Sequence, residues 1–272
     1  MPRALITGCS SGFGLEATLS LARRGWDVVA TMRNLDKRGR LDTRVADAGL
    51  SHRVTVQQLD VDDPLSVVAA VEAAGALDAV VNNAGIAIGG AFEDLTDGQF
   101  RSVMETNFFG VLALTRAVLP GMRERRAGRV VVVSSDSAFY GAPAMSAYTA
   151  SKWAVEGWAE SIAHEVAPFG IHVALVEPGS YKTDIWDSSP RVIPDGSAYA
   201  ALAEPVQTFV DEKLIPSGRD PREVGEVIAD ACTSAKPRFR YPVGPDAKAM
   251  HAARGVVPHR TIAWGIRRMI GL

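Results

Sequence analysis

Residues 3 to 24 pass from a short apolar run, Ala4-Leu5-Ile6, through a turn carrying Gly8, Gly12 and Gly14, into a segment with Leu15, Leu19, Leu21 and Ala22 spaced as on a helix. Strand, glycine-rich turn and helix in that order begin a βαβ unit. Glycines in such a turn allow the tight bend, close backbone approach to a pyrophosphate and close packing of helix on strand, and the helix amino terminus attracts negative charge. The spacing is G-x-x-x-G-x-G, one residue different from the G-x-G-x-x-G of many dinucleotide-binding turns. A chain that begins this way is expected to be an α/β protein that binds a phosphate-bearing ligand at the end of its first strand.

The rest of the chain continues the alternation. Strands are expected at 3–7, 27–32, 54–59, 78–82, 129–134, 171–176 and 239–243, and helices near 12–24, 64–74, 97–125, 146–167 and 221–235, with one more around 35–48. Runs such as Val130-Val131-Val132-Val133 are apolar without alternation, as strands covered on both faces are. The fold class that follows is α/β, a single-domain Rossmann-type doubly wound parallel sheet with helices on both faces, spanning residues 1–272. Its ligands should sit at the carboxyl ends of the strands.

Composition narrows the function. A net charge of −2, from 29 basic and 31 acidic residues, gives no footprint for nucleic acid. Cys9 and Cys232 are the only cysteines, far apart, and a cytoplasmic protein without disulfides is expected. The first strand begins at about Arg3, so no signal peptide is expected. No apolar run approaches the ~20 residues that span a bilayer. No metal-ligand pattern stands out, and the expected metal content is none.

In the middle of the chain Tyr148 and Lys152 stand four residues apart, with Ser135 and Asn107 upstream. Residues at i and i+4 share a helix face, so a phenol and an ammonium come side by side. A free phenol titrates near ~10 and a neighbouring cation is expected to lower that value, making Tyr148 an acid or base near neutral pH. Taken singly, Ser135 also reads as a strand-end cap, Asn107 as a polar group at a helix bend and Tyr148 as a core aromatic.

Together with Thr7-Gly8 and the glycines after it, Asn82-Asn83-Ala84-Gly85, and Pro178-Gly179 with Thr183, these residues resemble the short-chain dehydrogenase/reductase family in its compact single-domain branch. The motifs follow the family's order over about the first 185 residues, and the interval from Ser135 to Tyr148 is the family's. The resemblance implies an NAD(P)-dependent oxidoreductase acting on a carbonyl or secondary alcohol, with Asn107, Ser135, Tyr148 and Lys152 as the catalytic set. Ser135 would hold the carbonyl oxygen and Tyr148 would donate the proton. Lys152 would lower the tyrosine pKa and bind the nicotinamide ribose, and Asn107 would hold a water linking Lys152 to solvent. The implied cofactor contacts are Gly8, Ser10, Ser11, Gly12, Phe13, Gly14, Arg33, Asp60, Val61, Asn82, Ala84, Gly85, Tyr148, Lys152, Pro178, Gly179 and Thr183.

After the second strand, Met32 stands where an NAD enzyme usually has an acid, and Arg33 follows with a planar fork suited to a ribose phosphate. NADP(H) is therefore favoured over NAD(H), the alternative being that Arg33 is a solvated loop residue. Asp60 resembles the family's adenine contact and also reads as a helix cap. By the same resemblance residues 180–220 form a substrate flap, or else a surface excursion with a short helix at 198–210. Pocket positions would include Ala91, Phe92, Phe139, Tyr140, Met145, Tyr181 and Trp186, an apolar set that suggests a hydrophobic small-molecule substrate. The C-terminal extension, about 245–272, carries Ile262, Ile266, Met269 and Ile270 with Arg260, Arg267 and Arg268, a pattern that docks on its own domain or a neighbour more often than on a membrane. A homodimer or homotetramer is expected from the long helices at 97–125 and 146–167. The reading from another class is a dinucleotide-binding regulator or scaffold that keeps the fold and lacks the chemistry.

Overall fold

In the computed structural model, which describes residues 1–185 and 189–272, the apolar runs assemble into one parallel sheet. Its strands are β1 (Arg3–Ile6), β2 (Asp27–Met32), β3 (Val54–Gln58), β4 (Ala79–Asn82), β6 (Gly128–Val133), β7 (Ile171–Pro178) and β9 (Arg240–Val243), in the order β3-β2-β1-β4-β6-β7-β9. The order reverses between β1 and β4, and a crevice opens there at the carboxyl ends of the strands. A separate two-stranded sheet pairs β5 (Gly89–Gly90) with β8 (Arg191–Val192). Neither of these short strands was foreseen, because two residues carry no periodicity.

Strand pleating divides the core in two. Ala4, Ile6, Val131 and Val133 face one way, against α1 (Gly12–Arg23), α2 (Gly39–Asp47) and α8 (Arg222–Thr233). Leu5, Val130 and Val132 face the other way, against α3 (Pro64–Ala74), α5 (Gly110–Arg125) and α6 (Ser146–Val166). Burial on both faces is why the run Val130 to Val133 carries no polar residue. Asp63 caps α3 by accepting from Leu65 N at 2.9 Å, just ahead of Pro64. That leaves Asp60 free of the cap role.

The helix expected over 97–125 is broken. It forms as α4 (Asp97–Met104), a π-helical turn over Glu105–Phe109 and then α5. Over 180–220 the described residues include β8 and α7 (Ala200–Phe209), and Trp186 lies outside them. The C-terminal extension forms α9 (Pro245–Ala253) and α10 (His259–Ile270). No helix of the described residues is long and apolar enough to cross a membrane. Cys9 and Cys232 are buried and unpaired, and burial pushes both thiols up to about 12.

Candidate active site

The turn after β1 makes the first wall. Gly8 and Gly12 hold φ of +72° and +56°, a region that a Cβ penalises. Gly14 is needed for a different reason: a Cβ there would overlap the Gly8 carbonyl and stand 2.6 Å from Asn83 Nδ2. Ser11 begins α1 without capping it through its side chain, so the first-turn amides keep their capacity for an anion. Thr7 Oγ1 accepts from Asn83 N and Ala84 N, both at 2.9 Å, and Asn83 Nδ2 donates to Thr7 O at 2.7 Å and Gly8 O at 3.1 Å. This clasp joins the turns after β1 and β4 across the switch point.

Gly8, Ser10, Ser11, Gly12, Phe13, Arg33, Asp60, Val61, Ala84, Gly85, Pro178, Gly179 and Thr183 all line one continuous cleft of about 1020 Å³. Thr183 lies over Gly12, whose Cβ would meet its methyl at 3.5 Å. Met32 and Arg33 end β2 at the cleft, with Lys37 beside them, while Arg38 turns outward to pair with Asp42 at 2.6 Å. Arg33 makes no ion pair among the described residues and is exposed to solvent in the cleft mouth.

Four expected site residues stand elsewhere. Asn82 does not line the cleft: it is buried and donates to Thr115 Oγ1 at 3.1 Å. Pleating explains this, since Asn82 follows Val80 onto the α5 face. Its neighbour Asn83, which the sequence reading left out, faces the cleft instead. Gly14 acts from beneath the turn. Asn107 is buried in the π-helical turn, accepting from Ile86 N at 2.8 Å and donating to Ile86 O at 2.9 Å and Ser151 Oγ at 3.0 Å. Both amide hydrogens are thus spent on protein, and the side chain clamps the loop after β4 to α6. Lys152 lies below the cleft floor, 6% exposed, its Nζ donating to Val133 O at 2.9 Å.

The chemistry centres on Ser135 and Tyr148, which meet at the end of β6. Ser135 Oγ accepts from Ser137 N and donates to Asp136 Oδ1, both at 3.1 Å, and Ser135 and Tyr148 both line the cleft. Burial pushes Tyr148 up to about 12, with the Ser135 hydroxyl opposing and the charge of Asp136 adding to the rise. The sequence leads to the expectation that Lys152 lowers Tyr148. The ammonium stands 5.6 Å from the ring centroid and is turned to Val133 O, while its own pKa falls to about 8 through burial, opposed by Glu156. Tyr148 therefore carries its proton at neutral pH. A neutral phenol, half-buried in the same cleft wall as a serine hydroxyl, can donate that proton to an oxygen placed between them.

Asp136, also missed by the sequence reading, stands next to Ser135 and lines the cleft. Of the expected pocket positions Ala91, Tyr140, Met145 and Tyr181 line it too. Phe92 is instead 69% exposed, and Phe139 packs behind the wall against His251, ring centroids 5.3 Å apart. Tyr181 packs edge-on to Phe13 at 5.6 Å, tying the segment after β7 to the glycine turn. The far end of the cleft is covered by Val206 and Phe209 of α7 and by Ile266, Met269 and Ile270 of α10. The apolar face of the C-terminal helix thus docks on its own domain. Nothing in the sequence pattern ties it to the cleft, because only the tertiary path of the chain brings it there. Among the described residues no group of three or more metal-ligating side chains is gathered.

Similarity to known proteins follows the same outline. The chain is 41% identical over 263 residues to the uncharacterized oxidoreductase YusZ of Bacillus subtilis, covering 94% of this chain and 93% of that one. It is 39% identical over 248 residues to retinol dehydrogenase 8 of Bos taurus, covering 87% and 79% respectively. The crystal structure of a short-chain dehydrogenase from Streptomyces avermitilis superposes with a TM-score of 0.80 at 34% identity, over 97% of this chain and 96% of that one. Residues 2–192 match the family described as short chain dehydrogenase, and with the glycine turn, the clasp at the switch point and the Ser135–Tyr148 pair in place, the chain belongs to that family.

Proposed function

We propose that the protein is an oxidoreductase that moves a hydride between NADP(H) and a carbonyl or secondary alcohol on a hydrophobic small molecule. The observation that carries this reading is the Ser135–Tyr148 pair, placed in the wall of the same cleft that the glycine turn lines. The cradle fits a dinucleotide: Gly8 and Gly12 turn the backbone along the cleft at positive φ, Gly14 lets that turn sit close on α1, and the uncapped first turn of α1 faces it. When bound there, the nicotinamide dinucleotide supplies or accepts the hydride.

The residues of the chain handle the proton and the alignment. Ser135 holds the substrate oxygen, and Tyr148 gives up its proton as that oxygen becomes an alkoxide. Lys152, anchored on Val133 O, fixes one end of α6 against β6 and keeps a cation one turn from the phenol. Asn107, Ser151 and the Tyr148 carbonyl form a chain of hydrogen bonds at 3.0 and 2.7 Å that sets the first turn of α6. Gly8, Ser10, Ser11, Gly12 and Phe13 line the side for the phosphates. Asp60, Val61, Ala84 and Gly85 line the adenosine side, and Pro178, Gly179 and Thr183 the nicotinamide side.

The absence of an acid at Met32 and the exposed guanidinium of Arg33, which makes no ion pair among the described residues, with Lys37 nearby, support the 2′-phosphorylated nucleotide. The apolar cover from α7 and α10 supports a hydrophobic substrate. Exposed Phe109 and Trp153, 48% and 47% accessible on the helices expected to pair, support a homo-oligomer.

Titration of the protein with NADPH and NADH tests the reading. NADPH should bind more tightly, and Arg33→Ala should weaken it by roughly tenfold or more while moving NADH little. Tyr148→Phe should keep nucleotide binding and lose about 10²- to 10⁴-fold in turnover of an apolar ketone. If neither nucleotide binds, the reading falls.

A further inference from the structure

Asp136 is a carboxylate at the reacting centre that the proposed chemistry leaves unused. Its Oδ1 accepts from Ser135 Oγ at 3.1 Å and its Oδ2 from the Tyr140 phenol at 3.2 Å. It is only 9% exposed, yet it lines the cleft. Among the described residues no cation is paired with it, and the other charge acting on it is a second carboxylate, Asp246. Asp246 accepts from Ser180 N at 2.6 Å through Oδ2, while its Oδ1 is buried without a hydrogen-bond partner and 3.9 Å from Arg219 Nη1. A buried carboxylate without a counter-ion is costly, and a fold that needed only to hold Ser135 could have used a neutral side chain. With both oxygens hydrogen-bonded but no counter-ion among the described residues, Asp136 is suited to a cation that a ligand in the cleft would bring.

Geometry limits where that cation can be. A carbonyl oxygen held by Ser135 lies about 2.8 Å from Oγ, and an ammonium paired with Asp136 lies about 2.8 Å from Oδ1. Within one molecule, an oxygen on a carbonyl carbon and a nitrogen on the next carbon are roughly 2.8 Å apart when eclipsed, from ordinary C=O, C–C and C–N lengths. These three spacings close onto the 3.1 Å between Oγ and Oδ1. Beyond this polar corner the cleft turns apolar, with Val192, Val206, Phe209, Leu214, Ile266 and Met269 on its walls.

We infer that Asp136 is a specificity-determining residue, selecting apolar-chain ketones that carry a protonated amine on the carbon next to the reacting carbonyl, an inference that rests on the carbonyl-reductase reading above. The titratable groups facing Asp136 are Tyr140 beside it, Tyr148 from α6 and Asp246 from α9, so no cation of the protein competes for it.

The experiment compares matched long-chain 3-ketones bearing hydrogen, hydroxyl or amine at carbon 2, each reduced with NADPH by the wild type, Asp136→Asn and Asp136→Glu. The amine should raise kcat/KM by roughly tenfold or more over the parent ketone, chiefly through KM, and the hydroxyl by less. Asp136→Asn should bring the amine-to-parent ratio close to one, and Asp136→Glu should restore part of it. In the wild type the ratio should shrink as pH falls through about 6, where burial and Asp246 place the carboxyl of Asp136. A wild-type ratio near one, a ratio that survives Asp136→Asn, or a hydroxyl as effective as the amine overturns the inference. Calorimetric binding of dodecylammonium against dodecanol separates the two readings. Turnover without any amine preference sinks only the role of Asp136. An Asp136-dependent amine preference in binding, with no turnover of any ketone, sinks only the reductase reading. If the Asn variant fails to fold, the wild-type ratio and its pH profile still decide.

Discussion

At the scale of single residues, the two asparagines after β4 separate binding from packing. Asn82 spends its amide on Thr115 inside the α5 face, whereas Asn83 ties Thr7 and Gly8 together at the switch point. Asn82→Ala is expected to cost about 1–3 kcal/mol of stability by leaving Thr115 unpaired, and to move NADPH affinity by less than about twofold. Asn83→Ala should instead loosen the glycine turn and weaken NADPH by roughly tenfold. Urea unfolding and nucleotide titration on both variants check this; equal losses of affinity would mean that Asn82 does reach the ligand. Residue types and spacing made Ser135, Tyr148 and the glycines legible in the sequence. They did not show which of two adjacent asparagines faces the ligand, although strand parity counted from Val80 carried that signal. The pKa of Tyr148 was also out of reach, because it depends on how much water the surrounding packing removes.

At the scale of elements, the large strands and helices follow from apolar periodicity, and the departures sit where tertiary contact overrides it. The helix over 97–125 has a good helical pattern throughout. Its π-helical turn coincides with Asn107 bound to Ile86 and Ser151, and with Gly110 packed against Val61, where a Cβ would stand 2.8 Å from Cγ2. Such contacts bring together residues far apart in sequence and leave no local trace. The junction of β1 and α1 is the element most exposed to a small change. Gly14 has an ordinary helical conformation, so Gly14→Ala carries no backbone penalty, but its Cβ would overlap the Gly8 carbonyl and displace Asn83. Overpacking of this kind costs about 1–3 kcal/mol. The expected outcome is a lower unfolding midpoint together with at least tenfold weaker nucleotide binding. A crystal structure of the variant should show α1 moved away from the turn; an unmoved α1 with wild-type affinity would remove the packing argument.

Over the whole molecule, the far edge of the sheet is joined to the floor of the active site by charges buried between them. Arg240 on β9 donates to Glu177 on β7 at 2.5 Å and to Glu156 on α6, one turn beyond Lys152. Glu177 is fully buried, and one oxygen of each carboxylate lacks a hydrogen-bond partner. One guanidinium thus serves two buried acids. Burial first and the charge of Glu156 second push Glu177 up to about 7, against the opposing pull of Arg240. Because this folded value lies above the ordinary 4.5, the folded protein holds a proton that the unfolded chain has released. The resulting stability is fully present below about pH 4.5 and is lost as pH rises through about 7, with Asp136 adding to the same trend near 6. Lys152 acts in the opposite direction: its folded value of about 8 lies below 10.5, so stability returns as pH rises between them. Glu177→Gln keeps the shape and removes the titration. Relative to wild type, the variant should gain stability between pH 5 and pH 8 by up to about 3 kcal/mol, the free-energy equivalent of the displaced pKa. Urea unfolding at the two pH values measures that difference directly. If it is the same at pH 5 and pH 8, Glu177 is already ionised throughout, and Arg240 holds both carboxylates as charged partners.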